Sequence, residues 1–390
     1  MLKNLCSGFA LAAVFLLPAV AYGNELPGSA KAATVQIAQA SAAWDKLVKA
    51  AQKEGKVEVI LGGSMPRKLR KAMPAFTKEF GIKVNFQTGS SRRHSARIRA
   101  ERKSGLYTAD VWIGGANTAL SILLPNKMLA PVKPLLIDPE VNNPARWYKG
   151  KLHFTDPEGR YILTWGASPA NVIAINTNLV NPSDIKSIWD VLDPKWKGKI
   201  VARSPARRGA AASSVPMLLH PKVGKKWFKR WANDMDVTIV RDARQAVEWL
   251  ALGRYSIGMF GLGTPALEAK KQGFPVRPGL PHVLKEGETL TASAANIMAV
   301  DRPANPNAQK LFINWALSKK TQTLFLKIGK TSDSLRMDVA EDAVAPQYRI
   351  RLDRKYYVGF SDPNYINNQR KHLKTLRKIM KKARKKKKTK

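Results

Sequence analysis

The stretch Lys56-Val-Glu-Val-Ile-Leu-Gly-Gly-Ser64 first alternates polar and apolar residues, then becomes apolar, and ends in small residues. This pattern is typical of a β-strand that runs into a turn, and a helical pattern continues to residue 80. The same order of strand, Gly/Ser turn and helix returns twice, with strands predicted at 82–87 and 109–113. Three such units in succession predict a parallel sheet with right-handed crossovers. Ligands of such sheets bind beyond the carboxyl ends of the strands, where these turns lie.

A second series of strands and turns begins at residue 171. Its strands are predicted at 171–176, 199–202, 237–240, 255–260 and 294–300, with helices between and after them. A basic turn, Arg203-Ser-Pro-Ala-Arg-Arg-Gly209, follows the second of these strands, and Gly261-Leu-Gly-Thr-Pro265 follows the fourth. Two α/β lobes, with the chain returning late to the first, would place a cleft between facing strand ends.

The chain begins with a pattern typical of an export signal. Lys3 precedes nine apolar residues, 9–17, and Pro18 and Ala19-Val-Ala21 follow them. The apolar stretch is too short to span a bilayer, which needs about 20 residues. We therefore expect a signal peptide at 1–21, a flexible leader at 22–43 and a periplasmic protein. The single cysteine of the chain, Cys6, excludes a disulfide framework and any Cys-based metal cluster.

The chain is strongly basic, and the excess is concentrated at its end. It has 67 Lys and Arg against 28 Asp and Glu, which gives a formal charge of +39. Residues 370–390 contain 13 Lys and Arg and no acidic residue. Leu373, Leu376, Ile379 and Met380 would share one face of a helix there, and such a helix can bind anionic lipid, nucleic acid or an acidic polymer. For an exported chain we expect no nucleic acid partner. We favour a solvated, partly disordered tail over a specific surface-binding role, and weak contact of the tail with anionic surfaces stays open.

The run Asp193-Pro-Lys-Trp-Lys-Gly-Lys-Ile200, preceded by Ile188-Trp-Asp190, resembles a signature of the periplasmic solute-binding proteins of ABC importers. More narrowly, it resembles the family 1 members of the ferric-ion-binding type. Further fragments agree in order and spacing over residues 44–335, at 80–84, 89–91, 97–101, 109–111, 176–179, 245–248 and 308–321.

This resemblance implies a fold and a division of the chain. The fold is the α/β type II periplasmic-binding-protein fold, in which each of two lobes is a mixed, mainly parallel sheet with flanking helices, and crossing strands form the hinge. Lobe 1 would comprise 44–168 and 281–335, and lobe 2 would comprise 169–280. Residues 336–390 would form a C-terminal extension that ends in the basic tail.

The resemblance also implies a function. The chain would capture a small solute in the cleft between the lobes and deliver it to an inner-membrane permease and ATPase complex, as a monomer without cofactor or catalysis. Ferric-binding relatives hold iron through a His, a Glu and two adjacent tyrosines, and flanking matches carry these positions to Met65, Gly115, Gly263 and Thr264. None of the four offers the hard anionic oxygen that ferric iron prefers, so we expect no metal site and no protein-ligated iron.

The residues themselves favour an anionic solute. Small residues leave room for an organic molecule, helix starts attract anions, and arginine suits bidentate contact with carboxylate or phosphate. The predicted ligand-binding residues are Gly63, Ser64, Ser90, Ser91, Gly115, Ser204, Arg207, Arg208, Gly263 and Thr264. Trp112 and Trp165 lie near predicted cleft or hinge segments, and one of the two is a candidate to pack on the solute. Its identity stays open among an iron chelate, an organophosphate, a carboxylate, a sugar and a polyamine, and the lack of acidic residues in these turns counts against the polyamine.

Two other classes of function remain as alternatives. A secreted hydrolase or transferase on a doubly wound fold would need a nucleophile with a base in reach, or a metal site. Against it, the five histidines are scattered, and the chain has no G-x-S-x-G, H-E-x-x-H or P-loop motif. A surface-interaction protein that acts through the basic tail could coexist with the receptor.

Overall fold

The computed structural model describes residues 28–170, 172–292, 294–330 and 332–388. The predicted signal peptide, 1–21, lies outside the described residues. The chain divides into two units, residues 1–42 and 43–390, and the description of the first unit consists of the start of one helix, Gly28–Glu54. The expected flexible leader at 22–43 is therefore helical from Gly28, because this stretch is rich in alanine, the strongest helix former. Among the described residues, no helix is both long and apolar enough to cross a membrane.

Short strands dominate the sheets of the second unit. In chain order the described strands are β1 (Lys56–Gly62), β2 (Lys83–Gly89), β3 (Val111–Gly114), β4 (Leu129–Ala130), β5 (His153–Phe154), β6 (Leu163–Thr164), β7 (Gly166–Pro169), β8 (Ile173–Asn176), β9 (Ile200–Arg203), β10 (Thr238–Val240), β11 (Ile257–Met259), β12 (Val276–Pro278), β13 (Glu288–Thr291), β14 (Asn296–Val300), β15 (Asp333–Ser334) and β16 (Tyr356–Val358).

Helices flank these sheets. In chain order the described α-helices are α1 (Gly28–Glu54), α2 (Ser64–Lys68), α3 (Met73–Phe80), α4 (Ser91–Lys103), α5 (Ala116–Thr118), α6 (Pro139–Asn142), α7 (Arg208–Leu219), α8 (Gly224–Asp234), α9 (Ala243–Ala251), α10 (Gly263–Lys271), α11 (Pro306–Leu317), α12 (Lys319–Gly329) and α13 (Pro363–Lys388).

The first large sheet has the strand order β2-β1-β3-β14-β6-β5, and β4 pairs with β14. As the repeated strand–turn–helix pattern predicts, β1 is parallel to both β2 and β3. The register places Gly62 level with Gly89 and with Gly114, so three glycines stand at the carboxyl edge of neighbouring strands. We call this sheet and its helices lobe 1. Its core includes Phe76, which packs edge-on against Trp315 at 5.2 Å.

The second large sheet, in what we call lobe 2, has the order β10-β9-β11-β8-β12. Here β9 is parallel to β10 and β11, while β8 is antiparallel to β11. Its core is aromatic: Trp227 and Trp231 of α8 stack at 5.8 Å, and Phe228 stacks on Phe260 at 5.8 Å. These side chains cover the sheet from one side and fix the strand ends of lobe 2.

The chain passes between the two large sheets through β7 and β13. These strands pair antiparallel in a third sheet of order β15-β7-β13-β16, with Thr291 opposite Ser168. The mixed α/β sheets and the two crossings agree with the predicted two-lobed fold and its hinge of crossing strands.

The last helix of the C-terminal extension, α13, packs on lobe 2. Leu376, Ile379 and Ala383 of α13 are buried in the lobe 2 core, and Leu373 and Met380 are partly buried against it. The predicted apolar face of this helix is therefore confirmed. The expected partial disorder of the tail is wrong for residues 370–388, because that face covers apolar surface of α7 and α8, whereas the expected solvation of its charged side chains is confirmed.

Candidate functional site

A cleft of about 710 Å³ opens between α2 of lobe 1 and the strand ends of lobe 2. Ser168, Pro169 and Thr291 of the crossing strands also line it. On the side of lobe 2 it is bounded by residues at or just after the ends of β9, β10 and β11. Because these three strands are parallel, their carboxyl ends meet at one edge, which is where ligands of such sheets bind. The volume falls within the range of about 300–1,000 Å³ that is usual for small-molecule sites.

The cleft lining is strongly cationic. Its basic residues are Arg67, Lys68, Arg203, Arg207, Arg241 and Arg244, and its acidic residues are Asp242 and Glu268. Asp242 caps α9, where it accepts hydrogen bonds from the backbone N–H groups of Arg244 at 2.7 Å and Gln245 at 3.2 Å. These bonds, with that from Gln245 the larger cause, lower the pKa of the Asp242 carboxyl. The carboxylate of Asp242 is thus engaged by the backbone at the start of α9. The cleft keeps an excess of positive charge, which attracts anions.

Arg203 is the least satisfied of these cations. It ends β9 after three buried residues, and its Nη1 donates to the carbonyl oxygen of Gly261 over a long 3.3 Å. Its Nε is buried and has no hydrogen-bond partner in the described structure. Burial, and after it repulsion from Arg207, lowers the pKa of the Arg203 guanidinium. A buried charged donor without a partner is costly, so this position calls for an anionic acceptor.

An unusual backbone turn holds the carbonyl that Arg203 contacts. Phe260 has φ 66°, in the left-handed region that bulky residues rarely adopt, and Gly261 follows with φ 72°. Phe260 is fully buried, with its ring 5.3 Å from Trp231 and 5.8 Å from Phe228. The aromatic core of lobe 2 therefore fixes the turn that carries Gly261 to the cleft.

Two helix starts also face the cleft. Helix α7 begins after Arg207 and α10 begins after Leu262, and neither has a side chain capping its first N–H groups. Gly263 and Thr264, the first residues of α10, line the cleft. Uncapped N–H groups and the positive end of the helix dipole add to its affinity for anions.

The structure brings together some of the predicted site residues. Arg207, Gly263 and Thr264 line the cleft. The described cleft lining does not include Gly63, Ser90, Ser91, Gly115 or Ser204. Ser64 and Arg208 are the first residues of α2 and α7, and their side chains lie outside the description.

The serines of lobe 1 have other contacts. Ser90 caps α4 by accepting a hydrogen bond from the backbone N–H of Arg93 at 3.3 Å. Ser91 lies so close to Gly62 that a Cβ at residue 62 would be 2.7 Å from its Oγ. Both residues therefore organise the edge of the lobe 1 sheet.

Neither tryptophan that was a candidate for solute contact is accessible. Trp112 is 0% exposed and Trp165 is 1% exposed. The indole of Trp112 covers Gly114, where a Cβ would be 2.4 Å from its Nε1, and Trp165 packs on Phe325 at 5.6 Å. The expectation for these two residues is wrong, since both belong to the packed core.

Several cleft residues were missed in the sequence. Arg203, Arg241 and Arg244 stand at or just after predicted strand ends, so the rule that ligands meet the carboxyl edge could have found them. Tyr348 could not have been found this way, because it comes from the extension outside the family resemblance. Its hydroxyl donates to the carbonyl oxygen of Gly263 at 3.0 Å.

The lining is a poor set of ligands for bare ferric iron. Three of the four carried-over iron positions, Met65, Gly263 and Thr264, line the cleft without an anionic oxygen. Burial raises the pKa of Tyr348, so its phenol stays protonated. Within the described residues, no group of three or more His, Cys, Asp or Glu is placed to hold a metal ion.

Comparison with known proteins gives a consistent result. A model of the family described as bacterial extracellular solute-binding protein matches residues 62–323. An uncharacterized protein of Haemophilus influenzae is 26% identical over 276 residues, which is 69% of this chain and 75% of that protein.

Solved structures share the two-lobed fold. The IdiA (FutA) protein of Trichodesmium, in complex with iron and citrate, has a TM-score of 0.63 and 19% identity, covering 83% of this chain and 99% of that one. The periplasmic binding protein AfuA of Actinobacillus pleuropneumoniae, with fructose-6-phosphate bound, has a TM-score of 0.58 and 21% identity, covering 84% of this chain and 99% of that one.

Proposed function

Because the chain belongs to the bacterial extracellular solute-binding protein family, we propose that it is the receptor of an ABC importer whose solute is a small anion. Members of this family bind a solute and pass it to a membrane permease. The finer part of the proposal, the anionic solute, rests on one observation: the buried Nε of Arg203 has no partner within the described residues.

The surroundings of Arg203 support the same conclusion. Arg207 lies close enough to lower the pKa of Arg203, so the two guanidinium groups repel each other when no anion is present. An anionic oxygen between them would give Arg203 its missing acceptor and would relieve that repulsion. Arginine is suited to this role, because its planar group holds a carboxylate or phosphate by two parallel hydrogen bonds.

The size of the cleft narrows the solute class. About 710 Å³ suits a molecule of the size of a sugar phosphate or a polycarboxylate with a bound metal. Two proteins of the same fold were solved with such molecules, one with iron and citrate and the other with fructose-6-phosphate. Both ligands present clustered anionic oxygens. We therefore propose a phosphate ester or a polycarboxylate, free or as a metal chelate, as the solute.

Direct coordination of bare ferric iron is not part of the proposal. The oxygen donors among the described lining are few, and Asp242 is engaged in capping α9. Tyr348 donates its proton to the Gly263 carbonyl, and burial keeps it protonated. Iron would therefore enter only inside an anionic chelate whose outer oxygens face the arginines.

We further propose that the cleft binds its solute without turnover. Hydroxyl groups of Ser168, Ser213 and Ser332 line it, but no histidine is part of its described lining. Ser213 donates its proton to the carbonyl oxygen of Ala210 at 3.0 Å. A serine nucleophile needs a base within hydrogen-bond distance, and among the described residues no hydrogen bond joins these three serines to a carboxylate or an imidazole.

A thermal-shift series with matched pairs tests the proposal. Fructose 6-phosphate is compared with fructose, and citrate and ferric citrate are compared with trimethyl citrate. A ligand at 100 times its Kd stabilises the folded state by about 2.7 kcal/mol, so a true solute gives a clear shift. We expect stabilisation by at least one anion and none by its neutral partner. Tight binding of a neutral sugar or a cation would overturn the anionic solute while leaving the receptor assignment intact.

A further inference from the structure

The outward face of α13 is a continuous basic surface. Ten of its lysines and arginines are exposed, and the helix contains no acidic residue. The exposed cations are Arg370, Lys371, Lys374, Arg377, Lys378, Lys381, Lys382, Arg384, Lys385 and Lys386. At 1.5 Å per residue, residues 370–386 extend over about 24 Å. We call this set the α13 basic face.

This face is held in place by the protein. Leu376 is 0% exposed in the lobe 2 core, and Tyr365, Ile379 and Ala383 are buried there with it. At the start of the basic face, Nη2 of Arg370 donates to the carbonyl oxygen of Ser121 at 3.1 Å, which links the helix to lobe 1. The helix that carries these cations is therefore fixed to lobe 2 along its apolar side and to lobe 1 at Arg370.

The neighbouring helix extends the positive charge. Helix α8 packs against α13 and exposes Lys225, Lys226, Lys229 and Arg230. Its single acidic residue, Asp234, lies 3.7 Å from Arg230. Repulsion among so many like charges is unfavourable in the free protein, and an opposing anionic surface removes it.

We propose that the α13 basic face docks the protein onto an anionic phospholipid bilayer. A long row of cations on a convex helix fits a flat surface rather than a narrow groove. The apolar side of α13 is already buried against lobe 2, so the helix has no free apolar face to insert into the acyl chains. Contact is therefore electrostatic and confined to the lipid headgroups.

The family supports a lipid partner over a nucleic acid. An extracellular solute-binding protein works on the outer side of the membrane that contains its permease, and nucleic acid is not a regular component there. Each lysine or arginine near an anionic leaflet strengthens binding about fivefold. Several of the ten exposed cations can reach the surface together, so the face raises the local concentration of the receptor at the membrane.

Vesicle co-sedimentation of the full mature chain tests this proposal. The probes are vesicles of phosphatidylcholine alone and of phosphatidylcholine with 30% phosphatidylglycerol. We expect binding to the anionic vesicles that weakens steeply between 50 and 500 mM NaCl, and none to the neutral vesicles. A quadruple variant, Lys374→Glu, Lys378→Glu, Lys381→Glu and Lys382→Glu, is expected to bind at least about a hundredfold more weakly.

The matched control changes the net charge equally at exposed lysines of lobe 1: Lys46→Glu, Lys53→Glu, Lys78→Glu and Lys83→Glu. It is expected to keep most of the vesicle binding, and neither variant is expected to lower the Tm because all eight positions are exposed. Equal losses in the two variants would mean that net charge and not this face is responsible, and would overturn the proposal. Binding to neutral vesicles, or binding to an acidic peptide or a DNA duplex but not to anionic vesicles, would overturn it as well.

Discussion

Replacing Arg203 with methionine should make the solute-free protein more stable and at the same time weaken solute binding. Methionine keeps the length and flexibility of the side chain, so packing beside β9 is largely preserved. In the solute-free protein, the buried N–H of Arg203 that lacks a partner destabilises the fold by about 1–3 kcal/mol. The substitution removes this penalty. It also removes the 3.3 Å hydrogen bond to Gly261, worth about 0.5–1.5 kcal/mol. The net effect is a gain of about 1 kcal/mol, or an increase in Tm of about 1–2 °C for a chain of this size.

With solute, the same substitution removes a charge-assisted hydrogen bond. Such a bond is worth about 1.5–3 kcal/mol, so Kd should rise about 10- to 150-fold. Because arginine stays protonated across the accessible pH range, the gain in Tm of the solute-free protein should be the same at pH 6 and pH 8. Isothermal titration and differential scanning calorimetry measure the two quantities on the same preparations.

Arg277→Met is the matched control. Arg277 lies in β12 of the same sheet, is half-buried, and is not part of the cleft lining. We expect it to leave solute affinity within about twofold. A lower Tm of solute-free Arg203→Met, or an unchanged affinity of this variant for the anion, would show that Arg203 is not an unsatisfied anion-binding group.

Three further perturbations test other parts of the structure. Burial lowers the pKa of His153, so its contribution to stability is complete above about pH 6.5 and is lost at lower pH. His153→Gln should therefore flatten the fall in Tm between pH 7.5 and 5.5, and an unchanged slope would contradict this. Gly114→Ala forces a Cβ to within 2.4 Å of Trp112 Nε1 and should lower the free energy of unfolding, measured with urea, by about 1–3 kcal/mol. Gly329→Ala, whose Cβ would have its nearest contacts at 3.9 Å, should leave that free energy nearly unchanged. Leu376→Ala should cost about 2–5 kcal/mol and expose α13 to trypsin, and proteolysis at the wild-type rate would show that the helix does not depend on this contact.

The sequence predicted the parts of the fold that depend on local pattern. The repeated strand, turn and helix order over 56–113 predicted β1, β2 and β3 and their parallel pairing. It did not locate the crossing strands β7 and β13, because their sequences, Gly-Ala-Ser-Pro at 166–169 and Glu-Thr-Leu-Thr at 288–291, contain no apolar run. The docking of α13 depends on a surface formed by residues 208–234, which is far away in the sequence. The sequence showed the apolar face of α13 but not the residues against which that face packs.

The sequence predicted some of the residues that line the cleft but missed others. Turn composition drew attention to Arg207, and the resemblance to the ferric-binding type drew attention to Gly263 and Thr264; all three residues line the cleft. Arg203 was passed over because a charged residue at the end of a buried strand does not show whether its donors find partners. That property depends on the Phe260 turn, whose left-handed backbone is set by tertiary packing. Tyr348 enters from beyond the family match, where no pattern indicated a role.

Native mass spectrometry of the protein purified from the cells that make it shows which solute occupies the cleft. We expect a non-covalent adduct with the mass of a phosphate ester, a polycarboxylate or its metal chelate. This adduct should be lost or strongly depleted in Arg203→Met but retained in Arg277→Met. A neutral or cationic adduct that persists at full occupancy in Arg203→Met would contradict the proposal of an anionic solute.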